Sequence, residues 1–230
     1  MIVYPKNWKT VGQKITLKQI EDTIRIVLEE IDCQCLALSG GIDSSLLLYF
    51  MRQLYFTEKI KCFTIACSKN HPDYIFSNLV CRHLKIENEI YIPDSKLISE
   101  DNQGDNIVEA FYEYLDKKGI KRIIAGDGVD EFNCGYYDHL HDPSEKTYYD
   151  YIRRLQKEQL EPLNKNSGNI EVCLPYIDDR LILLFSQIPI FDKVDNVNRK
   201  KILIELAIGK LPGEIIYRRK YGFCDAMKIK

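Results

Sequence analysis

Apolar positions recur along the chain with two different periods, and the changes from one to the other outline the fold. Ile20, Ile24, Val27, Leu28 and Ile31 lie at helical spacing. Thr16 opens that helix, and Gln19 three residues later forms a capping box with it. The short apolar run 35–38, CLAL, predicts a strand buried on both faces. A leucine-rich helix is expected over 44–56 and a second strand over 59–67. Pro72 near a helix start, with Ile75, Leu79 and Leu84 behind it, predicts a helix over 71–86. A third strand over 87–92, a helix over 105–119 stopped by Gly119, and a fourth strand over 121–126 complete the alternation.

Strand and helix alternating in this way predict an α/β fold: a parallel, Rossmann-like sheet flanked by helices and joined by right-handed crossovers. After residue 144 the pattern changes to helices and connectors, with helices expected over 145–157, 178–187 and 198–208. The polar stretch 164–169, NKNSGN, reads as an exposed loop and hinge. The expected organisation is therefore an N-terminal segment with a packing helix (1–34), an α/β core (35–143) and a mainly helical extension (144–230).

Bulk properties narrow the function. A chain of 230 residues, 45% of them hydrophobic, can bury one good-sized core. Its 32 basic and 34 acidic residues give no global field for nucleic acid or an anionic membrane, so anion binding has to be local. No run has the length of a signal core or membrane span, and a cytoplasmic protein without a membrane partner is expected. The eight cysteines include no CxxC pair. Cys35, Cys62, Cys67, Cys81 and Cys173 sit in apolar patterns, as reduced thiols packing like small hydrophobes would.

The chemistry is concentrated where the first strand ends. Ser39-Gly40-Gly41-Ile42-Asp43-Ser44-Ser45 joins that strand to the next helix. Glycines let backbone amides approach a phosphate, the helix start offers free N–H groups, and the serines add hydroxyl donors. Neither the GxxxxGK[ST] spacing nor GxGxxG is present there. A second polar segment, 123–137, IIAGDGVDEFNCGYY, follows the fourth strand and carries Asp127, Asp130 and Glu131. In a parallel sheet both loops emerge on one edge, where Asp43 and Asp130 could share a metal ion.

The first loop resembles the pyrophosphate-binding loop of the N-type ATP pyrophosphatases, a superfamily with an adenine nucleotide alpha hydrolase-type sheet. The resemblance implies that Ser39, Gly40, Gly41, Ser44 and Ser45 hold pyrophosphate and that Asp43 binds Mg²⁺. The second segment narrows the resemblance to the synthetase domain of the asparagine synthetases. Gly126-Asp127-Gly128-Val129-Asp130-Glu131, then Cys134-Gly135-Tyr136, is similar to that family's Gly-Glu-Gly-Ser-Asp-Glu and Gly-Gly-Tyr. Asp130 falls on the metal-binding aspartate, and Asp127 stands where the family has a catalytic glutamate, one methylene shorter. Residues 174–189 resemble the Pro-Phe-Leu-Asp segment and its helix, without the arginine often found before it. Residues 199–223 resemble the C-terminal element: Lys200 or Lys201 begins it, Glu205 replaces an arginine, and Arg218, Lys220 and Phe223 match its end. The family's role for this last lysine makes Lys220 the expected catalytic cation. A serine-rich turn after the second strand makes Ser68 an adenosine contact, with Ala66 and Cys67 lining the adenine pocket and Gly126 also on the nucleotide.

The resemblance implies an ATP- and Mg²⁺-dependent, AMP-forming ligase that adenylates a carboxylate and forms an amide. The chain starts MIVYPKNW, about 30 residues before the loop, where glutamine-using members carry a glutaminase domain. Nitrogen is then expected from free ammonia, a substrate amine or a separate glutaminase subunit, and a carrier protein is a further partner left open. Two rivals remain: a pyrophosphatase adenylating a nucleotide or tRNA base, against which the balanced charge argues, and a non-catalytic ATP-binding module. The pair His139 and His141 with its neighbouring carboxylates is discounted as a metal site, being one i, i+2 pair in a loop, and the tyrosines of 148–151 are read as packing in preference to a base-stacking surface.

Overall fold

The structure, a computed structural model, describes residues 14–94 and 103–219. Its elements run α1 (Leu17–Ile31), β1 (Cys35–Ala37), α2 (Ile42–Leu54), β2 (Lys61–Ile65), α3 (Pro72–Leu84), β3 (Asn88–Tyr91), α4 (Gln103–Lys117) and β4 (Arg122–Ile124). There follow α5 (Val129–Phe132), α6 (Tyr137–His141), α7 (Glu145–Leu155), α8 (Glu161–Asn166) and β5 (Glu171–Cys173). The chain goes on through α9 (Asp179–Gln187), α10 (Ile190–Lys193), α11 (Lys201–Ala207) and α12 (Gly213–Ile216). The Thr16–Gln19 capping box is present as the sequence predicts.

The sheet is parallel throughout, in the order β3-β2-β1-β4-β5. Strand order reverses between β1 and β4, and such a switch opens a crevice beyond the C-terminal strand ends. The two polar loops of the sequence leave from these two strands. One face of the sheet is covered by the larger core, in which Ile20, Leu28, Leu47 and Phe50 pack with Leu203 and Leu206. The other carries a smaller cluster of Phe63, Phe111, Tyr112, Leu115, Ile123 and Ile170 beneath α4. Among the described residues no helix is long and apolar enough to cross a membrane.

Three expectations need correction. Cys67, expected as a reduced thiol because it sits in an apolar run, is disulfide-bonded, a pairing that depends on chain packing and not on local pattern. The stretch after 144 is not helices and connectors alone, because Glu171–Cys173 joins the sheet as β5 beside β4. Three residues are too few to show a period of two, and their pairing partner lies some fifty positions back. The polar run 164–169 is an exposed loop only in part: Asn164, Lys165, Gly168 and Asn169 are exposed, but α8 continues to Asn166, and Asn166 and Ser167 are buried. The Asn166 amide donates to Asp105 at 3.2 Å, which satisfies a polar group in an enclosed place.

Among the aromatic and histidine-bearing segments, Tyr148 is core and its hydroxyl donates to the Phe132 carbonyl. His139 is buried against the rings of Tyr136, Tyr148 and Tyr151, and its Nδ1 accepts from the Tyr136 N–H. Burial lowers the His139 pKa to about 4, against the opposing pull of Asp130 and Asp138. The unfolded chain takes up this proton near the ordinary value of 6.5, the folded chain near 4, so stability is lost as pH falls through that window. At 1.36 kcal/mol per unit the loss reaches up to about 3 kcal/mol. The expected result is a urea midpoint that declines from pH 6.5 to 4.5 and declines less in His139→Phe. Equal slopes would remove His139 as the cause.

Candidate active site

The serine loop is shaped by its second residue. Gly40 has φ of 69°, and a Cβ there would run into the backbone of Phe76 and Ser77 on α3. Only glycine lets the chain pass so close to that helix in a left-handed conformation. Beyond it the hydroxyls face one another: Ser39 Oγ and Ser44 Oγ lie 3.2 Å apart, and Ser44 Oγ also accepts from the Ser39 N–H. Ser39 Oγ accepts from the Gly41 N–H as well. Ser45 is one position deeper, fully buried, with no hydrogen-bond partner for its hydroxyl.

The second loop brings its carboxylate to the first through a lysine. Lys200 Nζ lies 2.6 Å from Asp43 Oδ2 and 2.7 Å from Asp130 Oδ1. Lys200 is 6% exposed, so this ion pair is largely shielded from water. Burial opposes the charge, yet Asp130 and then Asp43 outweigh it and hold the ammonium above its ordinary pKa. The other Asp43 oxygen, Oδ1, is buried with no hydrogen-bond partner. Gly135 makes room for the arrangement, because a Cβ there would collide with Asp130 Oδ1 and Lys200 Cε.

Neighbouring contacts fix both loops. The buried Tyr176 hydroxyl donates to the Asp43 carbonyl at 2.9 Å, so the segment after β5 braces the serine loop. Arg218 donates to the Ser39 carbonyl at 2.7 Å, pairs with Asp73 and lies over the Phe76 ring. Arg199 donates to the Gly135 carbonyl at 2.6 Å and stacks 3.8 Å from the Tyr137 ring centroid.

Two cavities meet at these loops, and Ser39, Asp43, Asp73 and Asp127 line both. The first, about 490 Å³, has an apolar wall including Leu38, Phe63, Ile65 and Phe111, and Gly126 and Asp130 also line it. The second, about 550 Å³, carries Arg199, Lys200, Arg218 and Arg219. One space suits an apolar ring system, the other suits negative charge, and Asp127 stands at their junction.

The asparagine synthase model matches residues 18–169 and 165–230. The chain belongs to the asparagine synthase family. A probable glutamine-hydrolyzing asparagine synthetase of Acanthamoeba polyphaga mimivirus is 27% identical over 219 residues, covering 84% of this chain and 40% of its own length. A putative glutamine-hydrolyzing asparagine synthetase of Methanocaldococcus jannaschii is 26% identical over 132 residues, 52% of this chain and 25% of the relative. The chain thus spans two-fifths or less of these curated relatives. Among solved structures, an NH3-dependent NAD synthetase from Campylobacter jejuni, in complex with the nitrate ion, aligns with a TM-score of 0.39 at 18% identity. That alignment covers 70% of this chain and 78% of the other.

Of the residues expected for an asparagine synthase site, the fold gathers Ser39, Gly41, Asp43, Ser44, Gly126, Asp127 and Asp130 around the two cavities. Gly40 and Ser45 are in the loop but line neither cavity. Ser68 also lines neither, its hydroxyl accepting from the Asn70 N–H. The second strand instead meets the first cavity through Phe63 and Ile65, so Ala66 and Cys67 are not its wall. Lys220 lies outside the described residues. The sequence alone did not single out Arg199, Lys200, Arg218, Asp73 or Tyr176 for the site. Arg218 and Lys200 stood at matching positions of the C-terminal element, and that was their one available signal. Nothing in a linear pattern separates a lysine that will be buried between two aspartates from a solvated one.

Proposed function

We propose that this chain is an ATP-dependent, AMP-forming ligase that joins a carboxylate to ammonia or an amine. The observation that carries the reading is the convergence of Asp43 and Asp130, from two different strand ends, on one cation beside the serine loop. Two carboxylates fit Mg²⁺, which prefers oxygen ligands and takes the rest of its shell from phosphate and water. The orphaned Asp43 Oδ1 fits the same purpose. Bound there, Mg²⁺ supplies neutralisation of the charge on the departing pyrophosphate.

The remaining work falls to the chain. Loop amides and the hydroxyls of Ser39 and Ser44 hold the β- and γ-phosphates, with Arg218 and Lys200 beside them. Adenosine lies against the Phe63 and Ile65 wall. A substrate carboxylate oxygen attacks the α-phosphorus, the bond from that phosphorus to the bridging oxygen breaks, and pyrophosphate leaves with the electron pair. The nitrogen nucleophile then attacks the acyl carbon of the adenylate, the acyl–oxygen bond breaks and AMP departs. Asp127, at the junction of the cavities, orients the nitrogen and takes its proton. Lys220 is our choice for the cation that meets the developing negative charge. The nitrogen comes from free ammonia, a substrate amine or a separate glutaminase subunit.

ATP–pyrophosphate exchange across a panel of carboxylic acids tests the proposal. One or a few acids should drive label from pyrophosphate into ATP, and Asp43→Ala should lose that exchange by about a hundredfold or more. ADP and phosphate as products, or full exchange in Asp43→Ala, would refute the assignment.

A further inference from the structure

The cation between Asp43 and Asp130 is part of the chain, and it stands where the proposed metal would have to stand. Lys200 Nζ is within 2.7 Å of an oxygen from each aspartate. Mg²⁺ binds carboxylate oxygen at about 2.0–2.1 Å, so ammonium and metal cannot share those two oxygens. The contact is also built into the backbone. Lys200 has φ of 54°, a left-handed conformation that is strained for a residue with a Cβ. Gly135 leaves the space in which Lys200 Cε and Asp130 lie. Arg199, one residue before, is fastened to the Gly135 carbonyl, which ties this corner to the carboxylate loop.

We infer that Lys200 is a resident counter-cation that closes the metal seat until a polyphosphate arrives to take the ammonium, making metal entry conditional on nucleotide. This rests on the reading of Asp43 and Asp130 as metal carboxylates and goes beyond it by naming what controls access. The physical ground is charge. With Lys200 in place the pair of carboxylates has a net charge of minus one, which cancels about half of its attraction for a divalent ion and occupies the oxygens that would bind it. Moving the ammonium away leaves two buried carboxylates facing one another, which is costly unless a divalent ion replaces it. The displaced ammonium needs a new anionic partner, and the second cavity, which Lys200 itself lines, is where phosphate oxygens would provide one. Metal and polyphosphate therefore bind cooperatively, each raising the affinity for the other by the same factor. The arrangement also guards the site, since a divalent ion without nucleotide finds it closed.

The test is Mn²⁺ binding to the full chain, followed by water-proton relaxation enhancement, with and without inorganic pyrophosphate and with no substrate acid present. The unaltered protein should bind Mn²⁺ weakly alone and on the order of 10- to 100-fold more tightly with pyrophosphate. Lys200→Met should bind Mn²⁺ that much more tightly without pyrophosphate, and its thermal midpoint should rise with added Mg²⁺ while that of the unaltered protein stays flat. Asp130→Asn should abolish the enhancement in both backgrounds. Equal, tight Mn²⁺ binding by the unaltered protein with and without pyrophosphate, lost in Asp130→Asn, would overturn the counter-cation role while leaving the metal carboxylates standing. Absence of Mn²⁺ binding in every state would overturn both. Should Lys200→Met fail to fold, Lys200→Gln, which keeps a polar group beside the carboxylates without the charge, takes its place with the same expected and overturning results.

Discussion

Asp130→Asn should lower ATP–pyrophosphate exchange by about 10²- to 10³-fold, the range typical for removing one preorganised charge from a reacting phosphate or acyl centre. The amide keeps the shape of the carboxylate but removes half of the negative charge that meets Lys200. Asp43 then holds the ammonium alone, at 2.6 Å, with Oδ1 still unsatisfied. The fold should survive, because Lys200 keeps a counterion and Gly135 still leaves room for the side chain. Loss of one charged hydrogen bond sets the expected destabilisation at about 1.5–3 kcal/mol. Steady-state exchange measured beside a denaturant midpoint separates the two effects. Exchange within threefold of the unaltered protein would remove Asp130 from the chemistry.

Lys193→Met should stabilise the protein at neutral pH by about 1–4 kcal/mol, the range in which buried charges have been replaced by apolar side chains with profit. Lys193 ends α10 and is fully buried, with its Nζ donating to the Tyr148 hydroxyl at 2.8 Å and lying over the same ring. Burial pushes its pKa down to about 7 from 10.5, against a weaker raising influence of Cys134. The sign follows from where the proton sits. The unfolded chain keeps the lysine protonated up to about 10.5 and the folded chain releases it near 7, so the native state gains stability as pH rises between those values. Methionine removes this dependence while leaving the Tyr148 hydroxyl its bond to the Phe132 carbonyl. The stabilisation should shrink from pH 7 to pH 9.5. A flat profile in the unaltered protein together with a destabilised variant would sink the account.

Much of the fold could be read from residue pattern because local and global preferences agree along α1 to β4. Thr16 caps where the apolar stripe begins, Pro72 sits at N1 of α3, and four short apolar runs become four parallel strands. β5 could not be read, since three residues acquire strand conformation only by bonding to β4. The NKNSGN stretch misled for a related reason: its polarity suggests solvent, but Asn166 is buried because Asp105 on α4 satisfies its amide. His139 looked like an undistinguished loop histidine and is enclosed by Tyr136 from the turn before α6 and by Tyr148 and Tyr151 of α7.

The candidate site divides along the same line. Sequence by itself determined the chemistry of the two loops: which residues are glycine, which carry hydroxyls and which carry carboxylates, each at the end of an apolar run. These are local properties, fixed by the turn each glycine permits and by the strand that precedes it. Tertiary structure alone decided that Lys200 would stand between Asp43 and Asp130, that Tyr176 and Arg218 would hold the serine loop from 133 and 179 positions away, and that two cavities would meet at Asp127. Contacts of that kind depend on the reversal of strand order between β1 and β4 and on the path of the chain back over the sheet. A buried charge is defined by what surrounds it, and its surroundings come from distant parts of the chain.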